Sequence, residues 1–186
     1  KFSMKKVTVL LADGFEEIEA LTVVDLLRRA KVYVDTVSIT DDYTVRGAHG
    51  IPVQTEDLIT EIDFKESDMI VLPGGMPGTT NLKEDENVRK AVQEAYDDGR
   101  YVAAICAAPT ILADMGLLKG KRATCYPDME SEIEDAYLTG APVATDENII
   151  TSQGVGTAID FALKLIEVLI SEEKAVEIAD SIVYQR

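Results

Sequence analysis

Tyr101-Val102-Ala103-Ala104-Ile105-Cys106-Ala107-Ala108-Pro109-Thr110 joins an apolar run of strand character to a thiol, and then to small helix-compatible residues. A strand that stops at a nucleophile and turns into a helix has the pattern of a nucleophile elbow. Such a turn lifts a reactive side chain out of a sheet. It also sets the sulfur beside a helix N-terminus, where free N–H groups and the positive dipole end favour thiolate over thiol. A small cysteine packed in a core strand is the alternative, and the decapeptide alone permits both.

Outward from the elbow, strands and helices alternate. Val7-Thr8-Val9-Leu10-Leu11 is β-rich and apolar on both faces, as expected of a central parallel strand. Asp13-Gly14 ends it, and Glu16 to Ala30 reads as a helix with Ile18, Leu21, Val24, Leu26 and Leu27 at roughly helical spacing. Acidic residues crowd its first turn and Arg28-Arg29 its last, matching the helix dipole at both ends. Val32 to Ile39 reads as the second strand, and Asp41 to Thr60 as short antiparallel excursions. Met69-Ile70-Val71-Leu72 is another buried strand, broken by Pro73-Gly74-Gly75-Met76-Pro77-Gly78. Helices are predicted over Asn87–Asp98, Ala107–Met115, Ala158–Ile170 and Glu172–Ile182, with short strands at Pro142–Ala144 and Ile149–Thr151. This alternation predicts an α/β fold, a three-layer αβα sandwich around a mostly parallel sheet.

Composition narrows the function classes. The 186 residues suffice for one domain with a substantial core. With 18 Lys+Arg against 34 Asp+Glu, the formal charge of -16 repels phosphate backbones and anionic membranes, so no nucleic-acid or membrane partner is expected. Cys106, Cys125 and the lone His49 have no metal-type spacing, so no metal is expected. Two cysteines are too few for a disulfide scaffold, and reduced thiols fit a cytoplasmic location. Lys1-Phe2-Ser3 ahead of Met4 reads as a cloning remnant outside the fold, and no signal-peptide pattern precedes Met4.

In open α/β sheets, sites lie at the carboxyl ends of strands. Asp13–Glu19, Pro73–Gly78 and Cys106 all fall there. Glu19 could face the thiol as a carboxyl of raised pKa, donating to a thiolate or moving a substrate proton. Gly75 and Ala107 could offer backbone N–H groups as a two-donor oxyanion hole. A turn needing positive φ is the alternative for Gly74-Gly75, and dipole-complementing charge the alternative for at least two of Glu16, Glu17 and Glu19. Gly154-x-Gly156 with Thr157 could cradle an anion, but Ile159 occupies the third glycine position of a dinucleotide fingerprint. It therefore reads as a turn with Thr157 as N-cap, near the site.

Ala12-Asp13-Gly14-Phe15-Glu16-Glu17-Ile18-Glu19, Leu72-Pro73-Gly74-Gly75, Ala104-Ile105-Cys106-Ala107-Ala108-Pro109 and Thr151-Ser152-Gln153-Gly154-Val155-Gly156-Thr157 together resemble the DJ-one/ThiJ/PfpI superfamily, in its DJ-one-like branch. The likeness runs from about Lys5 to Ile170. It implies one flavodoxin-like domain over residues 4–186, of the class I glutamine amidotransferase-like type, commonly homodimeric. It also implies Cys106 as nucleophile or redox-sensitive thiol, Glu19 as its protonated partner, and Gly75 and Ala107 as backbone donors, with no cofactor. Gly74, Tyr126 and His49 are candidate site-lining residues.

Two departures matter. The peptidase-like branch places His directly after the elbow cysteine, where Ala107 stands here. The DJ-one-like Thr-x-His-Pro stretch here reads Thr124-Cys125-Tyr126-Pro127, and the phenol of Tyr126 is a poor proton shuttle near neutrality. Cys125 reads as an unreactive strand cysteine, with a resolving disulfide as the alternative. The resemblance implies an enzyme acting on small reactive carbonyls, a glyoxalase- or deglycase-like conversion of 2-oxoaldehydes to 2-hydroxy acids. A redox-sensing or chaperone-like stress protein, with Cys106 oxidised to sulfinate, is the alternative; a peptidase or amidase is the third reading.

Overall fold

A computed structural model describes residues 4–185. Lys1-Phe2-Ser3, read as a cloning remnant, lie outside the described residues. In chain order the strands and helices are β1 (Lys6–Leu11), α1 (Glu17–Arg29), β2 (Tyr33–Ser38), β3 (Thr44–Arg46), β4 (Pro52–Gln54), β5 (Asp57–Leu58), β6 (Met69–Leu72), α2 (Gly78–Glu84), α3 (Glu86–Asp97), β7 (Tyr101–Ile105), α4 (Pro109–Asp114), β8 (Arg122–Ala123), β9 (Tyr137–Leu138), β10 (Val143–Asp146), β11 (Ile149–Ser152), α5 (Ala158–Leu169) and α6 (Glu172–Ser181).

Seven strands form one sheet in the order β10-β11-β7-β6-β1-β2-β5. Every neighbouring pair is parallel except β10 with β11. The parallel series β2-β1-β6-β7-β11 is the 2-1-3-4-5 order of doubly wound flavodoxin-type sheets, so the predicted class holds. Val7, Val9, Leu11, Met69 and Val71 face one core with α1, α5 and α6. Leu10, Ile70 and Leu72 face the other with α2, α3 and α4. Those strands are apolar on both faces because both faces are covered.

The structure differs from expectation in four places. Cys106 has φ +65°, so the chain turns at residues 106–108 and α4 starts only at Pro109 rather than Ala107. In α1, Ile18 and Leu21 are exposed, while Glu17, Glu19, Ala20, Val23 and Val24 face inward. Two carboxylates occupying inward positions rotated the apparent apolar stripe. Within Asp41–Thr60, β3 and β4 form the antiparallel hairpin, but β5 joins the main sheet in parallel beside β2. Thr157 stands at the N-cap of α5 without capping it; its hydroxyl instead bonds Ser152 and Gly154.

Candidate active site

β1, β6, β7 and β11 all end at one edge of the sheet, and the reversal of strand order between β1 and β6 opens a crevice there. Cys106 follows β7 at this edge. Its N–H donates to Ser152 O at 2.9 Å, and its carbonyl accepts from the Tyr126 N–H at 2.8 Å. The positive φ is a conformation that a residue bearing a Cβ rarely adopts, costing on the order of 1–3 kcal/mol. Backbone bonds on both sides hold it there, as a nucleophile elbow requires.

Glu19 projects from the first turn of α1 into full burial. The Gly74 N–H donates to its Oε1 at 3.0 Å, while Oε2 has no hydrogen-bond partner. Gly74 lies between this carboxyl and the elbow. A methyl group there would sit 2.7 Å from Cys106 Cβ and 2.7 Å from Glu19 Oε1. Glycine is needed at 74 for close approach, which the turn reading missed. At Gly75 the turn reading holds, since its φ is +96° and a methyl would meet Glu16 N at 2.4 Å.

Burial raises the Glu19 pKa to about 7, opposed by contact with the Cys106 thiol and by the Gly74 N–H. Loss of water, helped by the charge of Glu16, is what raises it; the sulfur works in the other direction. Burial, and then the negative charge of Glu19, push the Cys106 thiol up to about 12, with the Ala107 N–H pulling the other way. Here the expectation of a thiolate favoured by a helix N-terminus is corrected. The helix of only six residues starts three residues after the sulfur, and its dipole is outweighed. Between pH about 7 and about 12 the pair holds one proton, and the pair rather than either residue titrates.

The other predicted residues fall as follows. Among the described residues, the backbone N–H groups of Gly75 and Ala107 donate to no backbone carbonyl. Tyr126 is 43% exposed, and its ring Cδ1 and Cys106 Sγ flank the same point beside Gly154. Cys125 is buried, donates to Tyr126 O at 3.3 Å, and is pushed up to about 11 by burial. Both cysteines are free. His49 lies on the β3–β4 turn with its side chain exposed, and its Nδ1 is 3.0 Å from Glu17 Oε1 rather than near the thiol.

Glu17 is the residue whose place the sequence hid. It is buried, and it accepts from His49 N at 2.8 Å and Ile51 N at 3.3 Å, tying the hairpin turn to α1. Glu16 caps the helix, accepting from Ile18 N at 2.9 Å. Glu16, Glu17 and His49 bring ligand atoms within 4.8 Å of one another, the one such group among the described residues. The Glu17 oxygens are already engaged by the turn, so the group works as a brace. Among the described residues no helix is long and apolar enough to cross a membrane.

A sequence profile of the DJ-1/PfpI family matches residues 5–168. The chain is 40% identical over 183 residues to Protein DJ-1 homolog B of Arabidopsis thaliana, covering 97% of this chain and 42% of that one. The chain thus spans less than half of that relative's length. It is 34% identical over 182 residues to the glutathione-independent glyoxalase DJ-1 of Schizosaccharomyces pombe, covering 92% and 94%. The solved structure of oxidised Toxoplasma gondii DJ-1 superposes with TM-score 0.94 at 37% identity, covering 98% of this chain and 100% of that one.

Proposed function

The chain belongs to the DJ-1/PfpI family, and from that premise we propose that Cys106 and Glu19 convert small 2-oxoaldehydes to 2-hydroxy acids without a cofactor. The observation that carries the reading is the packing of a buried carboxyl, poised near neutrality, against the elbow thiol across Gly74.

The chemistry follows from the pair's single proton. Ionised Glu19 takes the thiol proton as sulfur attacks the aldehyde carbon of methylglyoxal. The Gly75 and Ala107 N–H groups hold the oxyanion, which regains that proton to give a hemithioacetal. Glu19 then removes the hydrogen from the former aldehyde carbon and returns a proton to the adjacent one. The hydroxyl proton moves between the two oxygens, leaving a 2-hydroxy thioester. Water cleaves the thioester, releasing lactate and the thiol. One carbon is oxidised and its neighbour reduced, so no external redox partner enters.

The test is lactate formation from methylglyoxal by wild type, Cys106→Ala and Glu19→Gln. Loss in both variants, by about a hundredfold or more for Glu19→Gln, is expected. Retained turnover in either one overturns the mechanism. The glyoxalase name borne by the fission-yeast relative supports this substrate class.

The unpartnered Glu19 Oε2 favours a second reading, oxidation of Cys106. Two equivalents of peroxide would convert the thiol through sulfenic to sulfinic acid, releasing two waters, and a protonated Glu19 would donate to the new oxygen. The oxidised state of the Toxoplasma relative supports it. In either reading we place the protein in the cytoplasm as a single-domain homodimer.

A further inference from the structure

Gly154 has no backbone reason to be glycine. Its φ of 168° and ψ of -165° are extended backbone, open to any residue. Gly74 and Gly75 differ, since methyl groups there would fall within 2.4–2.9 Å of their neighbours. A methyl on Gly154 would meet just two atoms within 4 Å, Tyr126 Cδ1 at 3.7 Å and Cys106 Sγ at 3.8 Å. Both distances are ordinary van der Waals contacts, so the side chain would fit. What its absence leaves open is the space between an aromatic ring and the reactive sulfur.

Both walls of that space are anchored to the elbow. Tyr126 N–H donates to Cys106 O, and the Cys106 N–H donates to Ser152 O just before the Gly154 turn. The turn is closed by Thr157, whose hydroxyl accepts from Gly154 N at 3.0 Å and whose N–H donates to Gly154 O at 2.9 Å. These bonds fix the backbone on both sides, so the places from which the Tyr126 ring and Gly154 face the sulfur are built in.

We propose that Gly154 and the Tyr126 ring form a selectivity lip that sets the size of electrophile able to reach Cys106 Sγ. The lip admits small aliphatic 2-oxoaldehydes and discriminates against aryl or peptide-borne ones. The choice of substrate class rests on the function proposed above; the lip itself is a matter of access to sulfur. Tyr126 thereby acts through its ring.

The experiment alkylates folded protein with iodoacetamide and with N-phenylmaleimide, following the Cys106 peptide by mass. Gly154→Ala is expected to slow the bulky reagent by about tenfold or more and the small one by less than about threefold, with circular dichroism and melting unchanged. Tyr126→Ala speeds the bulky reagent selectively, and Tyr126→Phe keeps the wild-type ratio. The ratio of kcat/KM for methylglyoxal over phenylglyoxal rises in Gly154→Ala and falls in Tyr126→Ala. Equal slowing of both reagents in Gly154→Ala, or an unchanged ratio in Tyr126→Ala, overturns the lip. If Gly154→Ala does not fold, the Tyr126 pair decides alone. A wild type that turns over neither dicarbonyl, yet shows these alkylation ratios, sinks the proposed function and leaves the lip standing.

Discussion

Glu17 and Glu19 sit two residues apart in the first turn of one helix, and both are buried, yet their acidities move in opposite directions. For each, the largest influence is burial, which favours the neutral form. Glu17 nevertheless ends below the usual carboxylate range, because hydrogen bonds from its own helix backbone, the His49 ring and N–H, and the Ile51 N–H outweigh the lost water. Glu19 has only the Cys106 thiol and one backbone donor against burial and keeps an oxygen without a partner, so burial prevails and it rises to about 7. The number of donors decides which buried carboxylate is held ionised and which is raised to near neutrality, as the proposed proton transfer requires. That division breaks or sharpens under mutation.

The largest expected effect is on Glu19 itself. Its folded pKa lies above the unfolded value of 4.5, so the folded state binds more protons through this window. The stability it contributes is complete below pH 4.5 and lost as pH rises to about 7. Above that, holding the buried charge costs on the order of 3 kcal/mol. Glu19→Gln is expected to melt higher than wild type at pH 8 and to converge with it near pH 4, while losing turnover. A variant that is both inactive and less stable at pH 8 would make Glu19 a structural acid like its neighbour.

Much of this arrangement was legible in the chain. Alternating apolar strands and helices required a covered parallel sheet, and the elbow placed Cys106 at its carboxyl edge. Family likeness paired Glu19 with it. What the residues concealed was burial: a glutamate looks like surface charge, so the inward turns of Glu17 and Glu19 displaced the apolar stripe onto exposed Ile18 and Leu21. The acidity of Cys106 was misjudged for the same reason. A helix N-terminus is visible in a sequence, whereas the loss of water around a sulfur and a neighbouring charge are tertiary facts. Gly154 was legible as part of a turn near the site; only coordinates show that its missing side chain faces the sulfur.

Glu17 supplies the converse measurement. Its depressed pKa gives stability that is present above 4.5 and lost as pH falls through the folded value. Glu17→Gln replaces an acceptor with a group whose amide meets the donors of the β3–β4 turn. It should lower stability by about 1–3 kcal/mol at pH 7. The gap between wild type and variant should narrow steadily on titration to pH 3. A gap independent of pH would mean that packing, and not the charge, holds the turn to α1.

The smallest effect is expected at the opposite end of the sheet, where Asp35 on β2 also rises to about 7. Burial is again the first cause, followed by a hydrogen bond from Asp57 and the charges of Asp57 and Glu56, with Lys6 opposing. One of its oxygens is unpartnered, like Oε2 of Glu19, and a cavity of about 320 Å³ opens beside it. By a raised acid and a cavity alone, this end would qualify as a site too. Its lining includes Lys6, Thr8 and Ser67 but no thiol, and the two like charges of Asp35 and Asp57 sharing one proton explain the shift without chemistry. Asp35→Asn should therefore raise the melting temperature at pH 8 by less than Glu19→Gln does, since partial exposure screens the charge, and leave it unchanged near pH 4. Methylglyoxal turnover and the rate of Cys106 alkylation should stay within about twofold of wild type. A tenfold fall in either would show that the two ends of the sheet communicate, and that the thiol beside Glu19 is not what singles out the site.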